Sequence, residues 1–173
     1  MAEDQAQSTI QPQSIYFGYG SNLWLDQMKR RCPGSRFIGV GYLTDWTWFI
    51  NTRGYANVKK SSADVVYGAM YLLTEEDEAL LDGFEGVPTS YVKERHPVVY
   101  LGDEDFGNLV GEHRVVEALV YVDVYRLKEG PPKAEYICRM NEGINDALKS
   151  GVPKEYIEKY LRPYIPPIDN TPN

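Results

Sequence analysis

The chain has 173 residues, of which 43% are hydrophobic and 25% charged, a composition typical of one soluble globular domain. Its formal net charge of −7 argues against a nucleic-acid-binding protein, because phosphate recognition depends on clustered Lys and Arg. Residues 1–13 contain no apolar core of a signal peptide, and the longest apolar stretch, 65–73, is too short to span a membrane.

Turn, cap and periodicity signals divide the chain into alternating strands and helices. Residues 1–13 are interpreted as a disordered lead-in and 166–173 as an irregular tail, flanking a single domain at 14–165. The predicted elements are a strand at 15–19, a helix at 23–31, strands at 37–43, 46–50 and 65–73, a helix from Thr74 to Gly83 or Gly86, strands at 91–101 and 115–124, and helices at 134–149 and 154–161. This order predicts an α+β fold with a strongly curved sheet that could close into a small barrel.

Local signals refine three of these elements. Ser21 or Asn22 is the expected N-cap of the first helix, and the basic run 29–31 is interpreted as a solvated cap at its end. Glycines within 37–43 suggest bulges or a close approach of another backbone. The polar, Gly-rich segment 102–113 is predicted to be a hairpin loop.

The segment 17–22, Phe-Gly-Tyr-Gly-Ser-Asn, is the first candidate site. Its glycines allow a ligand to approach the backbone, and the helix start behind them offers N–H groups to a phosphate or carboxylate. The segment lacks the Gly-Lys-[Ser/Thr] of a P-loop and the third glycine of a dinucleotide site. A tight strand-to-helix turn with a structural role is the alternative.

Glu85 is the second candidate, and Asp82 a weaker one. Both lie at the predicted C-terminal end of the acidic helix, where the helix dipole disfavours a carboxylate. Beside carbonyl dipoles and apolar neighbours, the pKa of Glu85 is expected to be raised, which suits a general base. An exposed loop position is the alternative reading.

The other reactive residue types give weaker signals. His96 and His113 have no ligand spacing to each other or to the cysteines, so neither a metal nor a cofactor is predicted. Cys32 and Cys138 are expected to be unpaired thiols in a reducing, cytoplasmic setting, although a spatial Cys–His pair stays open.

In combination these segments resemble the γ-glutamylcyclotransferase family. The resemblance begins at 16–23, Tyr-Phe-Gly-Tyr-Gly-Ser-Asn-Leu, and continues through the apolar strand at 66–73, the segment 81–87 around Glu85, and the C-terminal motifs at 130–136 and 151–156. It covers residues 15–165 in matching order. The sequence departs from the family at Gly18, where relatives commonly have Ala, and in the long loop 102–113.

The resemblance implies a small mixed-strand, barrel-like sheet with flanking helices, and a lyase or acyltransferase activity without cofactor. A small-molecule γ-glutamyl substrate would be converted to 5-oxoproline by attack of its own α-amine, with Glu85 as the acid–base residue. The substrate-binding residues would be Tyr16, Phe17, Gly18, Tyr19, Gly20, Ser21, Asn22, Tyr91 and Tyr136. Alternatives are an activity on γ-glutamylamines, glutathione or a secondary metabolite, and a non-catalytic binding module. A homodimer stays open.

Overall fold

The computed structural model describes residues 13–106 and 114–169. Its strands are β1 (Gln13–Gly18), β2 (Arg36–Ile50), β3 (Ala56–Thr74), β4 (Val92–Tyr100) and β5 (Val115–Val122). Its helices are α1 (Leu25–Arg31), α2 (Glu75–Glu85), α3 (Ala134–Lys149) and α4 (Lys154–Tyr156), with a 3₁₀ turn at Ser21–Leu23 and a π-helical turn at Ile157–Leu161. The predicted α+β class is confirmed.

The five strands form a closed barrel in the order β1-β3-β2-β4-β5. Neighbouring strands are antiparallel except at the closing seam, where β1 and β5 pair in parallel at Tyr16 and Leu119. The barrel encloses the hydrophobic core, whose largest fully buried side chains include Trp48, Tyr71 and Tyr100. The mixed-strand barrel is the architecture that the sequence and the resemblance predicted.

Two long strands form a hairpin that the sequence analysis divided differently. The separate strands predicted at 37–43 and 46–50 are one strand, β2, with register shifts after Phe37 and around Asp45. Gly39, at the first shift, has a φ of 128°, so the predicted glycine bulge is confirmed there. β3 begins at Ala56, well before the predicted start at 65, because its first half pairs with β2 while exposing polar side chains.

The helix ends were predicted with mixed success. The Thr74 hydroxyl accepts the Asp77 N–H at 3.1 Å, and α2 ends before Gly86, whose φ is 63°. The predicted N-cap of α1 is wrong: neither Ser21 nor Asn22 caps it. Instead Asp146 on α3 accepts the Leu25 N–H at 2.9 Å.

α3 packs directly on the 3₁₀ turn, and this contact positions the site. A Cβ at residue 143 would lie 3.0 Å from Leu23 Cβ and 3.2 Å from Trp24 N, so Gly143 allows the close approach. As a result, side chains from the first turns of α3 reach the same region as the end of β1.

The predicted lead-in and tail fall mostly outside the described residues, as does much of the predicted hairpin loop. Residues 1–12, 107–113 and 170–173 are not described, Gln13 begins β1, and 166–169 have no regular structure. No helix in the two described ranges is both long and apolar enough to cross a membrane.

Candidate active site

A cavity of about 260 Å³ opens where β1 runs into the 3₁₀ turn. It is bounded by the C-terminal end of α2, the turn between β2 and β3, the residues before β4, and the start of α3. Its wall includes the side chains of Tyr16, Tyr19, Asn22, Arg31, Arg53, Tyr55, Glu85, Tyr91, Tyr121, Tyr136 and Arg139. Residues distant in sequence therefore share one concave surface.

Asn22 organises the floor of this cavity. Its side chain is buried, and its Nδ2 donates to the Tyr16 hydroxyl at 2.9 Å and to Glu85 Oε1 at 3.2 Å. Its Oδ1 accepts from Gln27 Nε2 at 2.9 Å and Arg31 Nη1 at 3.3 Å. All polar atoms of the amide are thus engaged, which holds the Glu85 carboxyl in one position.

Glu85 is the last residue of α2 and its half-buried carboxyl faces the cavity. Burial raises the pKa of Glu85 from 4.5 to about 7, although the charges of Arg31 and Arg139 oppose that rise. The hydrogen bond from Asn22 and the charge of Arg53 also lower this pKa, but they do not outweigh burial. The predicted direction is confirmed; burial, rather than apolar contact with the exposed Phe84, is its main cause. A carboxyl with a pKa near neutrality can accept and return a proton.

The backbone amides of the glycine turn are less available to a ligand than the sequence suggested. The Ser21 N–H donates to the Tyr136 hydroxyl at 3.1 Å. A Cβ at residue 20 would lie 2.7 Å from that same hydroxyl, so any larger residue there would force the Tyr136 side chain to shift. Phe17 is fully buried in the core, and neither it nor Gly18 lines the cavity.

The predicted tyrosines lie in the cavity wall. The Tyr91 hydroxyl donates to the Ala56 carbonyl at 2.8 Å, which fixes its ring at the edge of β3. Burial raises the pKa of Tyr136 to about 12, so its phenol stays protonated at neutral pH. Tyr19, also in the wall, donates to the Tyr121 carbonyl at 2.6 Å.

Three arginines in the wall were missed by the sequence analysis. Arg31 belongs to the predicted solvated cap, but it stacks on Phe84 with 5.0 Å from Cζ to the ring centre and donates to Asn22. Arg53 and Arg139 gave no sequence signal, because only the folded chain brings them to the cavity. Basic side chains therefore line the cavity beside the turn, in addition to the backbone N–H groups that the sequence indicated.

The weaker candidate residues that the structure describes do not line the cavity. Asp82 accepts from the Tyr121 hydroxyl at 2.6 Å and pairs with Lys93 at 3.0 Å, behind the cavity wall. Burial raises the pKa of Cys32 to about 12, which disfavours a reactive thiolate. His96 contacts Glu94 at 2.6 Å, whereas His113 lies outside the described residues.

Two further predictions from the sequence concern the state of the cysteines and metal binding. Cys32 and Cys138 are both free thiols, as predicted. Within residues 13–106 and 114–169, no group of three or more His, Cys, Asp or Glu side chains is placed to hold a metal ion.

Residues 16–136 match the family described as gamma-glutamyl cyclotransferase, AIG2-like. This match covers both the glycine turn and Glu85 and spans most of the chain. The chain belongs to that family, and membership supports a cyclotransferase function.

Individual relatives agree with this assignment. The chain is 27% identical over 158 residues to a mouse (Mus musculus) gamma-glutamylcyclotransferase, covering 84% of this chain and 76% of the mouse protein. A solved structure named gamma-glutamyl cyclotransferase superposes with a TM-score of 0.73 at 25% identity, covering 94% of this chain and 93% of the other. An uncharacterized human protein (Homo sapiens) gives 0.71 at 27% identity, covering 93% and 92%.

Proposed function

We propose that this chain is a γ-glutamylcyclotransferase that converts γ-glutamyl amino acids or peptides into 5-oxoproline and the released amine. The observation that carries the proposal is the Glu85 carboxyl, half-buried in the cavity wall with a pKa raised to about 7. The family match and the named mouse relative support the same activity.

The reaction needs a base rather than a protein nucleophile. The substrate's α-amine attacks its own γ-carbonyl, so the new C–N bond closes a five-membered ring. Glu85, when ionised, takes the proton from the attacking amine and delivers it to the departing nitrogen as the original amide bond breaks. The protein must therefore hold amine and carbonyl together, and such positioning can supply about 7–11 kcal/mol of the barrier.

The glycine turn is the proposed site for the negatively charged parts of the substrate. Amides of residues 19–22 would bind the α-carboxylate or the developing oxyanion, with Arg31 and Arg139 supplying positive charge close by. The Ser21 amide would exchange the Tyr136 hydroxyl for a substrate oxygen. Tyr16 and Asn22 would orient Glu85, and Tyr91 and Tyr136 would line the substrate. Phe17 and Gly18 would act only by shaping the turn.

A substrate panel tests the proposal. The purified protein is incubated with γ-glutamyl dipeptides, glutathione and γ-glutamyl-ε-lysine, and 5-oxoproline is measured with Glu85→Gln as the matched control. Release by the parent and a loss of about 100-fold or more in the variant are expected. Binding without any 5-oxoproline would favour a non-catalytic module, and equal turnover in parent and variant would contradict the role of Glu85.

A further inference from the structure

The side-chain amide of Asn22 can point in two directions, and only one of them favours an ionised carboxylate at Glu85. In the structure its NH2 group donates to Glu85 Oε1 at 3.2 Å and to the Tyr16 hydroxyl at 2.9 Å. The reversed amide would place Oδ1 against the carboxylate, so that two acceptors face each other. That arrangement favours protonated Glu85, which cannot take a proton from the substrate. The direction of this amide therefore matters for the proposed reaction.

Gln27, on α1, is the nearer of the two donors that hold Asn22 Oδ1. Its Nε2 lies 2.9 Å from that oxygen, whereas Nη1 of Arg31 lies 3.3 Å from it. The same Nε2 donates to the Ser21 hydroxyl at 2.9 Å, so both N–H groups of the amide are used. Gln27 is buried and does not line the cavity. It can therefore influence Glu85 only through the residues that it holds.

Arg139 fixes the direction of the Gln27 amide in turn. A guanidinium can only donate, and Nη1 of Arg139 lies 3.3 Å from Gln27 Oε1. Arg139 is itself held by Glu135, at 2.8 Å from Nε and 3.1 Å from Nη2. Because the oxygen of Gln27 is directed at Arg139, its NH2 group is directed at Asn22. The direction of each amide thus follows from a neighbouring donor, since the two ends of an amide hardly differ in shape.

We propose that Gln27 is a positioning residue of the active site, which fixes Asn22 so that the NH2 group of its amide, and not the carbonyl, faces Glu85. This inference rests on the proposed cyclotransferase function and adds to it a residue outside the cavity. Replacing the donor of Gln27 by an acceptor should reverse the Asn22 amide and raise the proton affinity of Glu85. The resulting loss of base should be largest near neutral pH and disappear at higher pH, whereas a general disturbance of the site would lower activity at every pH.

Gln27→Glu is the main variant, because it keeps the length of the side chain and an acceptor for Arg139 but has no N–H group for Asn22. The proton affinity of Glu85 should rise by about 10-fold, since a hydrogen bond to a charged group is lost. From the parent's pKa of about 7, this change should lower kcat/KM by about fivefold at pH 7 and by less than about twofold at pH 9. Gln27→Met has no donor and adds no charge. It should shift the pH profile in the same direction by a smaller amount, because Arg31 still donates to Asn22.

The proton affinity of Glu85 is also measured directly, by NMR titration of isotope-labelled glutamate side chains, with Glu85→Gln identifying its signal. The charges that face Glu85 are the guanidinium groups of Arg31, Arg53 and Arg139, which stay protonated. The pKa of each other titratable group that its charge affects is raised by burial: Tyr16, Tyr19, Cys32, Tyr91, Tyr121 and Tyr136. The substrate amine titrates alike for every variant, so a difference between two pH profiles belongs to the protein.

Gln13→Glu is the matched control, because it makes the same chemical change at the exposed start of β1. It should leave both the pH profile of kcat/KM and the titration of Glu85 unchanged. The melting temperature of each variant shows whether it folds, and Gln27→Met carries the test if Gln27→Glu does not.

Two outcomes would overturn the inference. An equal loss of kcat/KM across the pH range with an unchanged titration of Glu85 would show that Gln27 only supports the structure. A shifted titration in Gln27→Glu with none in Gln27→Met would show that the added charge, and not the lost donor, acts on Glu85. If the parent releases no 5-oxoproline from any compound, the proposed function fails, and the NMR titrations still decide whether Gln27 controls Glu85.

Discussion

Glu85→Gln is expected to make the protein more stable at alkaline pH while removing most of its activity. The carboxyl is half-buried, and burial raises its pKa from 4.5 to about 7. Ionised Glu85 is therefore held in surroundings that favour the protonated form. Glutamine has nearly the same shape and can still accept the hydrogen bond from Asn22 through its side-chain oxygen.

The sign and size follow from linkage between protonation and folding. Between pH 4.5 and about 7 the folded protein retains a proton that the unfolded chain has released, so stability falls as the pH rises through this window. Above about pH 7 the full cost of the ionised carboxylate is present. A tenfold change in proton affinity is worth about 1.4 kcal/mol, which gives an upper figure of about 3 kcal/mol. Solvent screening of a half-buried group reduces this to about 1–2 kcal/mol.

The assay is urea denaturation of parent and Glu85→Gln at several pH values from 4.5 to 8.5. The two proteins should be about equally stable at the acid end, and the variant should gain steadily up to about pH 7 and remain ahead above it. Glu76→Gln, at an exposed position in the first turn of the same helix, is the matched control for the loss of a carboxylate that is not buried. A constant difference between parent and Glu85→Gln across the range would show that Glu85 ionises as freely as a surface glutamate.

Four further predictions test the site from other directions. The parent's kcat/KM should rise with pH through about 7, because the base must be ionised. In Arg31→Gln this rise should shift to higher pH, since removing a positive charge raises the pKa of Glu85 further. An unshifted pH profile would show that the charge of Arg31 does not influence Glu85. Asp82→Asn should reduce turnover far less than Glu85→Gln, as measured by 5-oxoproline release. Gly20→Ala should lower the unfolding free energy by about 1–3 kcal/mol and weaken substrate binding, because its Cβ would lie 2.7 Å from the Tyr136 hydroxyl. An unchanged unfolding free energy in denaturation and an unchanged affinity in calorimetry would contradict that contact. Metal chelators should change neither activity nor melting temperature, and a stoichiometric metal in the purified protein would refute this.

Elements with strong local signals were predicted closely. α3 was expected at 134–149 and runs from Ala134 to Lys149, between a proline-containing loop and a glycine. Thr74 and the acidic residues after it identified the start of α2, and of the two predicted ends, Gly83 and Gly86, the structure has Gly86. In each case the deciding interaction lies within a few residues along the chain, where sequence patterns are most informative.

Features that depend on distant contacts could not be predicted in this way. The first half of β3 is polar and exposed on one face, so only its pairing with β2 identifies it as a strand. The cap on Leu25 comes from Asp146, a residue 121 positions away. Arg53 and Arg139 become part of the cavity only because the hairpin turn and α3 meet there.

The parallel pairing of β1 with β5 can form only late in the synthesis of the chain. Near this seam Tyr19 bonds to the Tyr121 carbonyl, 102 positions later, and Ser21 bonds to Tyr136, 115 positions later. At the usual pace of roughly 5–20 residues per second, a ribosome needs roughly 5–20 s to supply these partners. Until then β1 can pair only with β3, leaving one edge of the strand open. We expect ribosome-held chains to become protease-resistant only after α3 has emerged, so that the cavity is among the last parts of the molecule to form.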